Sequence, residues 1–307
     1  MSIAEKFKEQ YNPGFYTRVD AVHPLDIYIG IDEENHYALE FRGKFTPQNV
    51  KASNSIGIKQ YQAEKFCGII FYLKDVDMFD TFCVFCEDII DSTKDTADHV
   101  AGYKLLINRF YAWKKMFQTK NSLLKEPEIM GLIGELLFLR DFMMPTYGED
   151  IALSSWSGQD LTHKDFSLKD TWFEVKAINT GKPTVKISSL EQLQSTIEGE
   201  LAVFQLEKMS PAYDGVTLNK LATGILGILS SEESKDYFIS KLFDSKFSFE
   251  TAYNDYVYEV TLGERYQVTD SFPKLTREDV NEAIAKAQYD ILLSEIQGYK
   301  IDWDYGN

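Results

Sequence analysis

The chain has 307 residues, of which 44% are hydrophobic and 26% are charged, a composition that indicates a globular protein and not a disordered one. Its 32 Lys and Arg against 48 Asp and Glu give a net charge of −16, which opposes non-specific attraction to nucleic-acid backbones. No apolar run approaches the ~20 residues of a membrane span, and the N-terminus lacks the apolar core of a signal peptide. The sequence therefore predicts a cytoplasmic protein that does not bind membranes.

Residues 1–95 predict a β-rich N-terminal domain. Short apolar or alternating runs, separated by turn signals, are typical of strands, and they lie at 26–31, 37–41, 66–73 and 81–85. Cys83 and Cys86 have the spacing of a zinc knuckle, but a zinc site needs about four ligands and the chain has no second such pair. We therefore predict that these two cysteines belong to a core strand and bind no metal.

Two helices open the predicted core, which spans residues 96–210. Residues 97–117 have an amphipathic pattern and are expected to form a helix that bridges the domains. Residues 127–143 have almost no polar face, so the helix they predict should be buried. Glu135 lies in the middle of this second helix, where a carboxylate is costly unless it is paired, hydrogen-bonded or bound to a metal. A structural salt bridge and a functional role both remain open for Glu135.

A β-hairpin is predicted at 163–178. Its second arm alternates, so Glu174 and Lys176 share one face. A two-residue turn between the arms would place Asp165 opposite Glu174 and His163 opposite Lys176, whereas a longer loop would shift this register. Opposed carboxylates with Cβ atoms ~5 Å apart repel each other unless a cation or a proton lies between them. The hairpin therefore predicts a metal site.

The rest of the core and the C-terminal part follow the hairpin. Strands are predicted at 184–187 and 201–206, and a capping-box sequence at 189–192 would begin a helix, in which Gln192 can be read as a cap residue only. Helix, hairpin, strand, helix and strand in this order fit an α/β layer fold. Residues 211–307 are expected to form a mostly helical extension that packs on the core, with helices at 218–229, 231–242 and 277–296 and a strand at 257–262.

The hairpin carries the residue types that metal-assisted phosphodiester hydrolysis needs. Mg²⁺ requires hard oxygen ligands, and the reaction needs activated water and positive charge near the phosphate. Asp165 and Glu174 can hold the ion at ~2.1 Å, and Lys176 can orient water and stabilise developing charge. An acid-x-Lys triplet also occurs at 233–235 and 244–246, but only the triplet ending at Lys176 lies in a strongly alternating strand.

The order of these residues resembles a known superfamily. Glu135 in Gly-Leu-Ile-Gly-Glu-Leu-Leu-Phe-Leu, then Asp165-Phe166, then Phe-Glu-Val-Lys ending at Lys176 looks like the PD-(D/E)XK nucleases. More narrowly, it resembles the bacterial proteins known only as "PD-(D/E)XK motif protein", a family of unknown function linked to restriction and phage-defence loci. The motif-bearing match spans about residues 126–206.

The resemblance implies a restriction-endonuclease-like fold, α/β in its core and α+β overall, in which helices flank a mixed sheet. It implies that Asp165 and Glu174 ligate Mg²⁺ or Mn²⁺, that Lys176 is the catalytic lysine, and that Glu135 is a supporting acid. It also implies a functional role for Gln192.

The sequence departs from the family pattern in front of the first acid. No proline precedes Asp165, because Lys164 occupies that place. Asp160 therefore stays a rival for the role of first acid.

Three functions are compatible with these residues. The leading hypothesis is a Mg²⁺-dependent DNA endonuclease of bacterial restriction or phage defence, acting as a homodimer or with other subunits. The alternative is a catalytically inactive structural or regulatory subunit with a nuclease fold, and a third is a nuclease acting on RNA or modified DNA. Any DNA contact on so acidic a chain must be locally basic. The candidate basic patches, which can equally be solvated faces, contain Lys164, Lys169, Lys176, Lys182 and Lys186, and upstream Arg109, Lys114 and Lys115.

Overall fold

The computed structural model describes residues 2–10, 12–118, 122–156, 164–303 and 305. The fold is mixed α+β, with helices flanking sheets and an antiparallel sheet in the N-terminal part, which confirms the predicted class. Across these described ranges, no helix has both the length and the apolar character needed to cross a membrane.

Two compact units divide the chain. The first comprises Met1–Ser122 and Lys235–Thr251, and the second comprises Leu123–Ser234 and Ala252–Asn307. These boundaries differ from the positions expected near 95 and 210. The three predicted parts, 1–95, 96–210 and a C-terminal extension at 211–307 that packs on the core, stay a prediction.

The first unit is built on an antiparallel sheet with helices. In chain order its N-terminal segment contains α1 (Ile3–Lys8), β1 (Tyr16–Arg18), β2 (Asp26–Ile31), β3 (Tyr37–Gly43), β4 (Ile56–Gln62), β5 (Cys67–Leu73), α2 (Phe79–Ser92) and α3 (His99–Trp113). The strands are ordered β1-β2-β3-β5-β4, and all neighbours are antiparallel. The strands predicted at 26–31, 37–41 and 66–73 are confirmed.

Helix α2 occupies the place of the strand predicted at 81–85, so that prediction was wrong. The buried side chains Phe82, Phe85, Cys86 and Ile89 recur every three or four residues, which is helical spacing. A short apolar run does not distinguish helix from strand by itself, and the longer pattern decided for the helix. The cysteines of this segment are buried free thiols, and burial raises the pKa of the Cys86 thiol well above its usual value.

Helix α3 confirms the helix predicted at 97–117, and it carries a buried charge. Arg109 is 1% exposed, and its Nε donates a hydrogen bond to Asp88 Oδ2 at 2.7 Å. Trp113 Nε1 donates to the same oxygen at 2.7 Å, and Asp236 also pairs with Arg109. Arg109 is therefore a structural residue of the first unit and not part of a basic surface patch.

The second unit contains the predicted core. Its elements in chain order are α4 (Glu126–Phe138), a π-helical segment (Leu139–Met143), α5 (Met144–Tyr147), α6 (Glu149–Ser155), β6 (Phe166–Ser167), β7 (Trp172–Asn179), β8 (Thr184–Ile187), β9 (Gly199–Met209) and α7 (Leu218–Ile228). Helix α8 (Glu232–Asp244) begins in this unit and ends in the first. The chain then continues with β10 (Val257–Val268), β11 (Tyr289–Leu292) and β12 (Lys300–Ile301).

A mixed sheet with the order β12-β10-β9-β7-β6 forms the centre of this unit. Strands β7 and β9 are parallel, and the other neighbours are antiparallel. Helix α4 packs on one face, where a Cβ added to Gly134 would lie 3.2 Å from Ala177 Cβ and the Phe138 ring lies 5.3 Å from that of Phe173. An apolar cluster that includes Trp172 covers the other face. Strand β7 is therefore covered on both faces, as central strands next to a parallel neighbour usually are.

The helix predicted at 277–296 is not present. The chain forms a short 3₁₀ turn, then β11, then a second 3₁₀ segment, Leu293–Tyr299. Strand β11 pairs with β8 in a separate two-stranded sheet, with Ile291 opposite Val185. Pairing with β8 favours a strand at this position. Helix propensity is weak enough for such tertiary contacts to override it. The helix predicted to start at 189–192 is likewise only the three-residue 3₁₀ turn Leu190–Gln192.

Candidate active site

The predicted hairpin is present with the predicted register. Strands β6 and β7 pair antiparallel, with Phe166 opposite Phe173. Continuing this register by one residue places Asp165 opposite Glu174, which is the pairing predicted from a two-residue turn. His163, predicted opposite Lys176, lies outside the described residues, and so does the rival acid Asp160.

Asp165 directly precedes β6 and caps the edge of β7. Its Oδ2 accepts a hydrogen bond from the Val175 N–H at 2.7 Å. Strand β6 has only two residues, so the carboxylate satisfies an N–H group that a longer partner strand would have taken. Burial raises the pKa of Asp165, and the charge of Lys176 together with the Val175 N–H opposes this rise. The local backbone thus fixes the carboxylate of Asp165 at the edge of the sheet.

Glu174 is the most deeply buried of the predicted site residues, with 1% exposure. Its Oε1 accepts a hydrogen bond from Lys176 Nζ at 2.5 Å. Its Oε2 is also buried but has no hydrogen-bond partner among the described residues, which is costly for a carboxylate oxygen. Burial and the negative charge of Asp165 raise the pKa of Glu174 to about 8. One oxygen of Glu174 is therefore left to a proton or a cation.

Lys176 carries the positive charge of the site. Burial lowers its pKa, but the neighbouring carboxylates of Glu174 and Asp165 outweigh burial, so the pKa is raised overall. The side chain keeps 18% of its surface exposed. Lys176 is thus a charged ammonium group that contacts a buried acid and still reaches solvent.

Glu135 projects from α4 toward the same acids. Trp156 Nε1 donates a hydrogen bond to its Oε2 at 2.8 Å. Burial raises the pKa of Glu135 to about 8, and the charges of Asp165 and Glu174 add to the rise. The structural salt bridge left open for Glu135 is not present among the described residues, where its carboxylate bonds to Trp156. The structure therefore brings Glu135 into electrostatic contact with the predicted acids of the hairpin.

Trp156 is a site residue that the sequence did not indicate. It follows α6 directly and forms an isolated β-bridge with Phe166 of β6. This bridge holds the indole beside Glu135, where it donates the hydrogen bond described above. A tryptophan next to a helix end does not by itself predict a hydrogen bond to Glu135. That bond depends on how the chain folds back after α6, which a single sequence does not show.

The Gln192 side chain forms a hydrogen bond within its own loop. Its Oε1 accepts a hydrogen bond from the Ser188 N–H at 2.7 Å, a bond across four residues of the same loop. This contact shapes the loop that follows β8. A functional role for Gln192 stays a prediction.

Lys164 was expected in a basic surface patch, and that expectation was wrong. Its side chain is buried, with Nζ 3.9 Å from the centroid of the Trp172 ring. The ammonium group donates hydrogen bonds to the backbone oxygens of Glu191, Gln192 and Gln194 at 2.7, 2.6 and 3.1 Å. Lys164 therefore ties the loop of Gln192 to the residue next to Asp165, while Lys182 and Lys186 remain exposed.

The donor set fits a divalent cation of the Mg²⁺ type. Asp165 and Glu174 offer hard oxygen ligands on adjacent strand positions, and the unpartnered Oε2 of Glu174 is a buried acceptor that such an ion would satisfy. Within the described residues, no group of three or more His, Cys, Asp or Glu forms a metal cage.

Comparison with known proteins identifies the family. A family model described as "Putative PD-(D/E)XK family member, (DUF4420)" matches residues 7–294. No curated protein and no solved structure matches the chain. The match covers almost the whole chain, including the hairpin and helix α4, so the predicted resemblance to this superfamily is confirmed. The catalytic roles of Glu135, Asp165, Glu174 and Lys176 stay predictions. The chain belongs to the DUF4420 family of PD-(D/E)XK nuclease-like proteins.

Proposed function

We propose that the chain is a metal-dependent endonuclease that hydrolyses phosphodiester bonds in DNA. The observation that carries the proposal is Glu174, a fully buried carboxylate with one oxygen on Lys176 and the other without a partner. Asp165 lies opposite it and is fixed by the Val175 N–H. Two acids and a charged lysine at one strand edge are what metal-assisted phosphodiester hydrolysis requires.

Each residue of the proposed site has a distinct task. A divalent cation, Mg²⁺ or Mn²⁺, would supply positive charge at the phosphate and lower the pKa of water, and Asp165 with Glu174 would hold it. Lys176 orients the attacking water and stabilises negative charge on the phosphate oxygens. Glu135, with its pKa near 8, holds a proton near neutral pH and so reduces repulsion among the three acids. Gln192 is proposed to contact the substrate from its loop.

Charge and family context support the rest of the proposal. A net charge of −16 weakens the attraction to DNA, so we infer that the chain works with partner subunits or as a homodimer that supplies further basic surface. The exposed Lys182 and Lys186 are the proposed local approach for the phosphate backbone. The resemblance to proteins linked to restriction and phage-defence loci supports a role in bacterial defence.

A cleavage assay tests the proposal. The purified chain is incubated with plasmid DNA, base-modified phage DNA and RNA, in Mg²⁺, Mn²⁺ or EDTA. We expect nicking or cutting of DNA with a divalent cation, no activity in EDTA, and a loss of about 100-fold or more in Lys176→Ala. The matched control is Lys286→Ala, which removes an exposed lysine of the same unit and should retain near-normal turnover.

The other outcomes separate the alternatives. Cleavage of RNA alone would replace DNA by RNA as the substrate class. Activity that persists unchanged in Lys176→Ala would contradict the assigned site. No cleavage of any of these substrates, with either cation, would favour the inactive structural subunit.

A further inference from the structure

A second candidate site lies in the first unit and shares no residue with the acids of the hairpin. It is a cavity of about 480 Å³, a size in the range of ligand pockets, which is roughly 300 to 1,000 Å³. It lies where β3 ends, and the turn between β4 and β5 and the first turns of α3 complete its walls. Nothing in the nuclease proposal uses it.

The cavity is locally basic on an acidic chain. Lys44, Lys65 and Lys104 line it and are exposed, and none of them forms an ion pair among the described residues. Among the described residues that line it, Glu64 is the single acid. A surplus of lysines in a concave site concentrates anions, and the chain as a whole has 48 acidic and 32 basic residues. The lining therefore favours an anionic ligand.

The rest of the lining suits a planar polar group. Phe66 is half-buried and Val100 is 46% exposed, so both offer apolar surface to a ligand. The exposed Gln48 and Gln62 add side-chain amides, which donate and accept hydrogen bonds. Heterocyclic bases present apolar faces and polar edges of this kind, and they pack against apolar side chains.

The floor of the cavity is fixed before any ligand arrives. The Phe45 ring stacks on the Tyr103 ring with centroids 4.0 Å apart. The Tyr103 hydroxyl accepts a hydrogen bond from the Gln48 N–H at 2.7 Å and donates one to Gln60 Oε1 at 2.6 Å. A preorganised wall lowers the entropy cost of binding.

We propose that this cavity binds a nucleotide. Lys44, Lys65 and Lys104 contact the phosphates, while the base packs on Phe66 and places its polar edge near the glutamine amides. The ligand is a free nucleotide or one nucleotide of a nucleic-acid strand, since both present the same phosphate and base.

Calorimetry with the full chain tests the proposal. EDTA is present throughout so that no strand is cut, and the probes are ATP, inorganic tripolyphosphate and a single-stranded decanucleotide. We expect ATP or the decanucleotide to bind, and Lys65→Ala with Lys104→Ala to weaken that binding by about 10-fold, which corresponds to about 1.4 kcal/mol. The matched control combines Lys8→Ala and Lys51→Ala, two exposed lysines of the same unit that cause an equal change in net charge. It should leave affinity within about two-fold.

A neutral variant tests the contact with the base. Phe66→Ala should weaken ATP binding and leave tripolyphosphate binding unchanged, and thermal melting confirms that each variant is folded. Binding of the decanucleotide but not of ATP would assign the site to a strand, and binding of ATP alone would assign it to a free nucleotide.

Three results would overturn the proposal. The first is no binding of ATP or the decanucleotide at about 1 mM ligand. The second is an equal loss of affinity in the Lys8 and Lys51 control. The third is that tripolyphosphate binds as tightly as ATP and that Phe66→Ala alters neither affinity.

Discussion

Both units of the chain bury charged side chains, but they satisfy them differently. In the first unit, Asp88 accepts hydrogen bonds from Arg109 and Trp113, so its charge is neutralised by a fixed partner. In the second unit, Glu174 lies beside Asp165, and one of its oxygens has no hydrogen-bond partner among the described residues. Burial without full compensation raises the pKa of Glu174 to about 8. The difference separates a buried pair that stabilises a fold from a cluster that is completed by a cation or protons.

The largest expected effect is on catalysis. Only substitutions in the cluster of Asp165 and Glu174 should reduce the cleavage rate. Asp165→Asn removes the charge of one proposed ligand while keeping its shape, and we expect cleavage to fall by about 1,000-fold. Arg109→Met changes the compensated pair and should leave turnover per folded molecule near normal. Single-turnover cleavage at 20 °C measures both variants. A comparable loss in Arg109→Met would break the distinction between the two clusters.

The second effect is on stability. It is expected for substitutions in the buried pair of Asp88 and Arg109. Arg109→Met leaves Asp88 buried without its cation, which typically costs about 3–5 kcal/mol. Urea denaturation measures the change in the free energy of unfolding. Asp88→Asn with Arg109→Met should recover part of the loss, because no unpaired charge then remains buried. A loss under about 1 kcal/mol in Arg109→Met would contradict the structural role of the pair.

The hairpin shows how much of the site was predictable from the sequence. Its alternation set the faces of Glu174 and Lys176, and the predicted two-residue turn is present, since the Leu168 N–H donates to the Thr171 carbonyl oxygen at 2.9 Å. Side-chain period and turn length together fix a hairpin register. These are local rules, and one sequence is enough to apply them.

The sequence-based predictions failed where contacts between distant parts of the chain determine the structure. Burial of Lys164 depends on three carbonyl groups from a loop about thirty residues away, and its charge alone favoured a surface position. Strand β11 exists because it pairs with β8, and the hydrogen bond from Trp156 to Glu135 depends on the return of the chain after α6. Periodicity contains no information about such pairings.

A smaller effect is expected at Lys164, which joins the hairpin to the loop of Gln192. Lys164→Met keeps an apolar chain of similar length but removes the ammonium group, which leaves three backbone carbonyl groups without their donor, so we expect a loss of about 2–3 kcal/mol in stability. Hydrogen exchange should rise at 190–194 and remain unchanged at α3. Lys186→Met, an exposed lysine of the same unit, is the control. Unchanged exchange at 190–194 would show that Lys164 does not hold the loop.

The smallest expected effect is on the pH dependence of stability, and it tests whether the buried acids of the second unit lack full compensation. Burial raises the pKa of Glu135 from 4.5 to about 8, so between pH 5 and pH 8 the folded state binds more protons than the unfolded state. This contribution to stability is complete below pH 4.5 and is lost as pH rises through 8. The free energy of unfolding therefore declines between pH 4.5 and pH 8. Glu135→Gln should reduce this decline by about 1–2 kcal/mol when unfolding is measured in EDTA. A decline of equal size in the variant would place its origin elsewhere.

Direct binding of Mn²⁺, followed by electron paramagnetic resonance, tests the central claim most directly. We predict one ion for each wild-type chain and an affinity at least about 100-fold lower in Glu174→Gln, since a ligand oxygen is lost. Glu264→Gln is the matched control, because Glu264 is a buried acid of the same unit that is already paired with Lys300 and Tyr266. It should bind Mn²⁺ as the wild type does. Full affinity in Glu174→Gln, or an equal loss in Glu264→Gln, would contradict the assignment of the metal site.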